Sequence, residues 1–240
     1  MQSVSAIVID MDWATDDMID FTAQILIDAD VKATWYITHD SAGVQNLFSR
    51  PKLFEIGIHP NFLKGSTQGE CPQQVMDYLL NIYPNAQSVR THVLYDSRLL
   101  SRMYVDDYNI KVDVTTFLPK IKNLNPYRLY VDKNKYILRV PTFWEDAVEM
   151  LETKSEYTFN DAKYKVPGLK VFTFHPIHVM NNTRDFEKYT KSKKGGKLHD
   201  NLKTNGSRTF LRELIHHIRT EQQVSYTISD IVKEWKRWDK

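Results

Sequence analysis

Cysteine is almost absent from the 240-residue chain, since Cys71 is the single one. One cysteine excludes an intrachain disulfide and a zinc ribbon built on cysteine pairs. The sequence also lacks any run of roughly 20 apolar residues, the length that a membrane-spanning helix needs. Residues 1–9 have no basic segment before a short apolar run, which is not the pattern of a signal peptide. We therefore expect a cytoplasmic protein without a membrane span.

An excess of charge of one sign is missing too. The chain has 32 Lys and Arg against 30 Asp and Glu, a net charge of +2. This balance gives no reason to expect a nucleic-acid partner, and the short basic cluster at 191–197 lacks interleaved aromatic residues. The apolar fraction of 42% and the charged fraction of 26% are typical of a globular protein. The length predicts a single domain over residues 1–240.

Short apolar runs alternate with helical spacing along the first half of the chain. This alternation predicts an α/β fold, with a parallel sheet and helices outside it. The predicted strands are 6–10, 32–38, 53–59, 88–92 and 110–114, and the predicted helices are 15–29, 72–82 and 97–104.

The second half is less regular and predicts an irregular, helical C-terminal part. A hairpin is expected at 127–140, a buried strand at 171–175, and amphipathic helices at 207–222 and 229–238. The polar stretch 184–205 is expected to be a surface loop or a lid.

Acids, histidines and one arginine stand where the predicted strands end. Because the carboxyl ends of parallel strands meet at one rim, where ligands bind, we expect these side chains to converge there. Imidazole and carboxylate groups together suit zinc or another first-row divalent metal. The residues concerned are Asp10, Asp12, His39, His59, Arg90, His92, Asp146 and His175.

Each of these residues also has a purely structural explanation. Asp10–Trp13 and His59–Phe62 have the composition of turns. His39 and His92 are as well explained by ordinary hydrogen bonding as by a site. For His178, three residues after His175, both interpretations stay open.

Six segments, taken in order, resemble the NodB-type polysaccharide deacetylases and in particular their divergent WbmS-like branch, which is associated with bacterial surface-polysaccharide gene clusters. The resemblance implies a single distorted (β/α) barrel and one divalent metal ion, with zinc as the first choice. The segments are Ile9–Ala14, Lys32–Tyr36, Glu55–Phe62, Arg90–His92, Phe143–Asp146 and Phe174–Pro176.

The resemblance implies a role for five of the residues at the strand ends. Asp10 corresponds to the catalytic base, Arg90 to the arginine that orients it, and His175 to the general acid. Asp12 and His59 correspond to metal ligands.

The resemblance and the aromatic residues also suggest a substrate groove. Trp144 corresponds to a groove wall and Asp146 to the position that pairs with the arginine. Trp13 offers a face for stacking on a pyranose ring, and we expect Asn61 to line the same groove.

One position departs from the family's usual pattern. The second metal histidine normally follows the first by four residues, and Leu63 stands there in this chain. Leucine cannot bind a metal, so another residue must supply the third ligand. His92 is the first choice because it follows Arg90 at a strand end, and His175 and His39 are the alternatives.

These features predict a metal-dependent hydrolase that removes an acetyl group from an N-acetylated saccharide, in lipopolysaccharide or capsule biosynthesis. One alternative is a metal-dependent hydrolase of another C–N bond on the same barrel. Another is a sugar-binding or assembly protein that keeps the fold and has lost catalysis, as Leu63 would suggest. The sequence leaves the sugar, the metal and the oligomeric state open.

Overall fold

The structure is a computed structural model that describes residues 4–152, 155–159, 162–193, 204–221 and 224–238. Its strands form one sheet: β1 Val4–Asp10, β2 Ala33–Ile37, β3 Phe54–Ile58, β4 Ser88–Val89, β5 Val112–Asp113, β6 Tyr127–Asp132, β7 Lys135–Arg139, β8 Trp144–Glu145 and β9 Leu169–Phe174. The helices are α1 Asp16–Asp28, α2 Ala42–Phe48, α3 Pro72–Ile82, α4 Arg98–Asp106, α5 Asp146–Glu149, α6 Pro176–Asn181, α7 Phe186–Lys193, α8 Ser207–Thr220 and α9 Ile228–Trp238.

The nine strands formed by the described residues follow the order β6-β7-β5-β4-β3-β2-β1-β9-β8. Neighbours pair in parallel, except that β6 and β7 form the antiparallel hairpin expected from the sequence. The sheet is curled as a half-barrel with helices against it. The predicted α/β fold of the distorted barrel type is therefore confirmed.

The centre of the sheet is the core of the molecule. Every residue of β1, β2 and β9 is buried, as expected for parallel strands covered on both faces. Helix α1 packs against α2 and α6, and α6 packs against α8, so helices from both ends of the chain cover the strands. The carboxyl ends of β1, β3, β4 and β9 meet at one rim.

The polar stretch 184–205 is only partly an irregular loop. Residues Phe186–Lys193 form α7, and residues 194–203 lie outside the described part of the chain. No helix in the described ranges is both long and apolar enough to cross a membrane. That residues 1–240 form a single domain stays a prediction.

Candidate active site

The backbone turns sharply after β1 and presents two acids on the rim. Asp12 and Trp13 both have left-handed backbones, with φ of 41° and 57°. This conformation is costly for residues other than glycine, and such strain is concentrated at functional sites. Trp13 N–H donates to Thr38 Oγ1 at 3.1 Å, which ties the turn to the end of β2. The turn brings Asp10 and Asp12 to the same rim.

Asp12 is the centre of a group that could hold a metal. Its Oδ1 lies 3.2 Å from His59 Nε2 and 2.8 Å from His92 Nδ1. One donor atom from each of the three residues lies within 4.8 Å of the others. A carboxylate with two imidazoles is a ligand set that zinc accepts in catalytic sites. The three residues therefore fit a divalent ion, and His92 is placed where it could supply the third ligand that Leu63 cannot.

The backbone around both histidines is fixed by hydrogen bonds. His59 N–H donates to Ile37 O at 2.8 Å, and His92 N–H donates to Pro60 O at 3.0 Å. The amide group of Gln68, which is buried, donates to Thr38 O and to His59 O. No sequence pattern pointed to Gln68, because it acts from a turn five residues beyond Leu63.

The charge of Asp12 is stabilised although the carboxylate is half-buried. Burial raises its pKa, but hydrogen bonds from His59 and His92 and the charge of His175 hold the pKa well below the ordinary value. Asp12 is therefore an anion at neutral pH, which is the form that binds a metal.

Arg90 is buried between two carboxylates and orients the first of them. Its Nε donates to Asp10 Oδ2 at 2.6 Å, and its Nη2 donates to Glu145 Oε2 at 2.7 Å. Asp10 Oδ1 is buried and lies 3.8 Å from His59 Nδ1, and no residue that the structure describes forms a hydrogen bond with it. Arg90 thus fixes one oxygen of Asp10 and leaves the other as a proton acceptor.

The expectation that Asp146 pairs with the arginine is wrong, because Glu145 takes that place. The side chain of Asp146 is fully buried and its Oδ1 lies 2.6 Å from His175 Nδ1. Its Oδ2 accepts from His175 N–H at 3.0 Å and from Ser207 Oγ at 2.7 Å. Asp146 therefore orients His175 rather than lining a groove.

His175 lies close to the Asp12–His59–His92 group, in surroundings that favour its protonated form. Its Nε2 is 3.7 Å from Asp12 Oδ2. Burial lowers its pKa, but the charge and hydrogen bond of Asp146, with Asp12 and Asp10, raise the pKa well above the ordinary value. A protonated imidazole at this place can donate a proton to a leaving group.

Trp144 does not form a groove wall, because it is buried in an aromatic cluster. Its ring stacks on Phe210 of α8 with centroids 4.2 Å apart, and its Nε1–H donates to Glu149 at 2.9 Å. Successive side chains of a strand point to opposite faces. Glu145 therefore faces Arg90 and the site, while Trp144 faces the helices.

The other expected groove residues stand near the rim. Trp13 is half-buried and its ring meets His92 edge-on with centroids 5.2 Å apart. Asn61 is also half-buried, and its Oδ1 accepts from Leu63 N–H. His39 Nδ1 lies 2.8 Å from Thr38 Oγ1, and His39 does not belong to the Asp12–His59–His92 group. It is therefore the weakest of the three candidates for the third ligand.

A second group of potential ligands needs no ion to explain it. Asp146, His175 and His178 are all buried and offer donor atoms within 4.8 Å of one another. The oxygens of Asp146 already accept from His175 and Ser207. The His178 ring meets the ring of Tyr189 with centroids 4.7 Å apart. We assign this group to the positioning of His175.

Comparisons with known proteins find matches to both the sequence and the fold of the chain. The family model for WbmS-like polysaccharide deacetylases matches residues 7–193. A Bordetella bronchiseptica protein described as a polysaccharide deacetylase involved in O-antigen biosynthesis is 31% identical. The match covers 90% of this chain and 91% of that chain, with a TM-score of 0.79.

Two more distant structures share the fold. The peptidoglycan deacetylase PdaC from Bacillus subtilis has a TM-score of 0.51 at 14% identity, over 99% of this chain and 93% of that one. A CE4 family pseudoenzyme from Bacillus anthracis has a TM-score of 0.51 at 13% identity, over 96% of this chain and 65% of that one. No curated protein matches the chain.

Proposed function

Because the chain belongs to the WbmS-like family of polysaccharide deacetylases, we propose that it is a metal-dependent hydrolase of an N-acetylated saccharide. The products are acetate and a sugar with a free amine. We infer that this reaction belongs to bacterial surface-polysaccharide biosynthesis, by analogy with the O-antigen role described for the Bordetella relative.

One observation supports the proposal most strongly: a possible metal-ligand group, a proton acceptor and a proton donor lie together at one rim of the sheet. Asp12, His59 and His92 form the ligand group, Asp10 offers a free carboxylate oxygen, and His175 offers a proton. Asp12 contacts both histidines of the ligand group and lies 3.7 Å from His175 Nε2, so the groups are close enough to act on one bond.

The ligand group would be held in its binding form by the protein. Asp12 is ionised, and His59 and His92 present nitrogen atoms to it. A zinc ion, when bound there, supplies a Lewis acid that polarises the amide carbonyl and makes water a better nucleophile at neutral pH.

Asp10 is the general base in the proposed mechanism. Its Oδ1 accepts the proton of the attacking water, while the bond from Arg90 Nε to Oδ2 keeps the carboxylate in place. Arg90 also donates to Glu145 and to Val114 O at 2.7 Å, so it is fixed at several points. A buried arginine fixed in this way restricts Asp10 to one orientation.

His175 is the general acid. Its Nδ1 side is held by Asp146, which leaves Nε2 towards Asp12 and the reacting bond. The imidazolium gives its proton to the amine nitrogen as the C–N bond breaks. Ser207 supports this arrangement from α8 through its bond to Asp146.

Acetate release from N-acetylated chito-oligosaccharides tests the proposal, with wild type and Asp10→Asn compared at equal metal content. We expect release by wild type and a loss of at least about 100-fold in the variant, because general-base catalysis contributes roughly 10²–10⁴-fold. Asp230→Asn is the matched control, since Asp230 pairs with Lys32 away from the site. Equal release by Asp10→Asn and wild type would contradict the mechanism.

Leu63 supports a second candidate function, a sugar-binding protein without catalysis. It replaces the usual second metal histidine and lies 41% exposed in a turn. On this hypothesis the protein binds N-acetylated saccharides and contains no stoichiometric metal. Metal analysis therefore separates the two functions.

A cytoplasmic location stays a prediction from the sequence.

A further inference from the structure

The segment that carries His92 has a strained backbone. Val93 and Leu94 follow the proposed ligand and have left-handed φ angles of 50° and 56°. For a β-branched residue such as valine this conformation is a true outlier. Val93 is 61% exposed, so packing around its own side chain does not impose the strain. Other contacts must hold the segment.

Hydrogen bonds within the segment close a tight turn. Leu94 N–H donates to Thr91 O at 3.1 Å, and Tyr95 N–H donates to His92 O at 3.2 Å. Thr91 Oγ1 donates to Tyr95 O at 2.8 Å. These bonds define the turn but do not attach its far end to the sheet.

Asp96, the next residue, attaches that end to the sheet through Arg139. Nη2 of Arg139 lies 2.8 Å from Oδ1 of Asp96, and Nη1 lies 3.0 Å from Oδ2, so the pair is bidentate. Arg139 ends β7 and is buried, and it also contacts Ser101 of α4 at 2.8 Å and Asp113 of β5 at 3.3 Å. Bidentate pairs of this kind fix geometry as well as adding energy.

We propose that Arg139 is a positioning residue for the metal site: through Asp96 it holds residues 91–95 in the strained conformation that presents His92 to Asp12. This inference rests on the proposed function of the Asp12–His59–His92 group. It adds a residue that neither touches the metal group nor follows from the family's motifs. Its role is to keep the third ligand in place against the strain at Val93.

Asp96→Asn tests the proposal, because the side chain of Asp96 is 45% exposed and Arg139 keeps Asp113 as a partner. We expect about 10–100-fold weaker binding of zinc and Co²⁺ by calorimetry, the usual loss when a supporting partner of a ligand is removed. Asp106→Asn removes the same charge from the end of α4, where Asp106 pairs with Arg102 and Lys135, and serves as the control. Binding by Asp96→Asn within twofold of wild type would overturn the proposal.

A second substitution separates strain from simple charge loss. Glycine adopts a left-handed backbone without a steric penalty, so Val93→Gly removes the strain that the pair opposes. We expect the loss caused by Asp96→Asn to shrink to a few-fold in the Val93→Gly background. An equal loss in both backgrounds would mean that Asp96 acts by its charge alone and would overturn the positioning role.

Amide hydrogen exchange of the metal-free protein tests the role of Arg139 independently of whether the proposed metal site exists. Exchange at Leu94 and Tyr95 is expected to accelerate in Asp96→Asn and not in Asp106→Asn. Unchanged exchange would contradict the proposal that Arg139 and Asp96 hold residues 91–95, whether or not a metal binds. If wild type binds neither zinc nor Co²⁺, the proposed metal site fails, and the exchange data still decide whether Arg139 holds the segment.

Discussion

His92 Nδ1 lies 2.8 Å from Asp12 Oδ1, although 80 positions separate the two residues in the sequence. In the family's usual pattern the third metal ligand lies in the segment after β3, where this chain has Leu63. Here the proposed third ligand, His92, lies in the segment after β4. The three proposed ligands thereby follow the ends of β1, β3 and β4, with β2 lying between β1 and β3 in the sheet. The position of His92 in this group depends on how the backbone beyond β4 is held, which is the role that we propose for Arg139 and Asp96.

His175→Ala tests the general acid. We expect kcat for acetate release to fall by about 10²–10⁴-fold, because the leaving amine would lose its proton donor. The metal content should stay unchanged, since His175 lies outside the ligand group in this account. His216→Ala is the control, because His216 is exposed on α8. A parallel loss of metal and activity would assign His175 to the metal instead.

Two tryptophans are expected to respond in opposite ways. Trp144→Ala should lower the free energy of unfolding by about 3–5 kcal/mol, the usual cost of removing a large buried ring. Trp13→Ala should leave stability within about 1 kcal/mol and raise KM for the saccharide, because Trp13 is half-buried beside His92. Urea unfolding and acetate-release kinetics measure both. A stable Trp144→Ala protein with a raised KM would restore the groove assignment.

The buried side chain of Lys170 should make the free energy of unfolding depend on pH. It is buried on β9, and burial lowers its pKa from 10.5 to about 8. Between these two pH values the unfolded chain holds a proton that the folded chain has released, so the free energy of unfolding rises with pH. Lys170→Met removes this contribution. The stability of wild type minus that of the variant should therefore increase from pH 7.5 to pH 10, as measured by urea unfolding, and a constant difference would refute the lowered pKa.

The sequence predicts the rim residues well for a physical reason. Buried parallel strands are uninterrupted apolar runs, and the first polar residues after them, such as Asp10, His59 and His175, mark the rim. Which of the two side chains of β8, Trp144 or Glu145, points towards the site could not be predicted in this way. Strand β8 has two residues, too few to show a period, and only its pairing with β9 decides which side chain points inward.

Long-range hydrogen bonds were the other part that the sequence did not reveal. Gln68 reaches two carbonyl groups from a turn, and Arg139 holds Asp96 from a strand 43 residues away. Neither residue belongs to an apolar period or to a family motif. Such contacts depend on the relative placement of elements, which local spacing does not encode.

Metal content per chain, measured on wild type and His92→Ala after loading with zinc, is the sharpest test of the proposed Asp12–His59–His92 ligand group. His39→Ala is the matched control, because His39 contacts Thr38 and lies outside the ligand group. We expect one ion per chain in wild type and in His39→Ala, and none in His92→Ala. No ion in wild type, or an ion that His92→Ala retains, would contradict the proposed site.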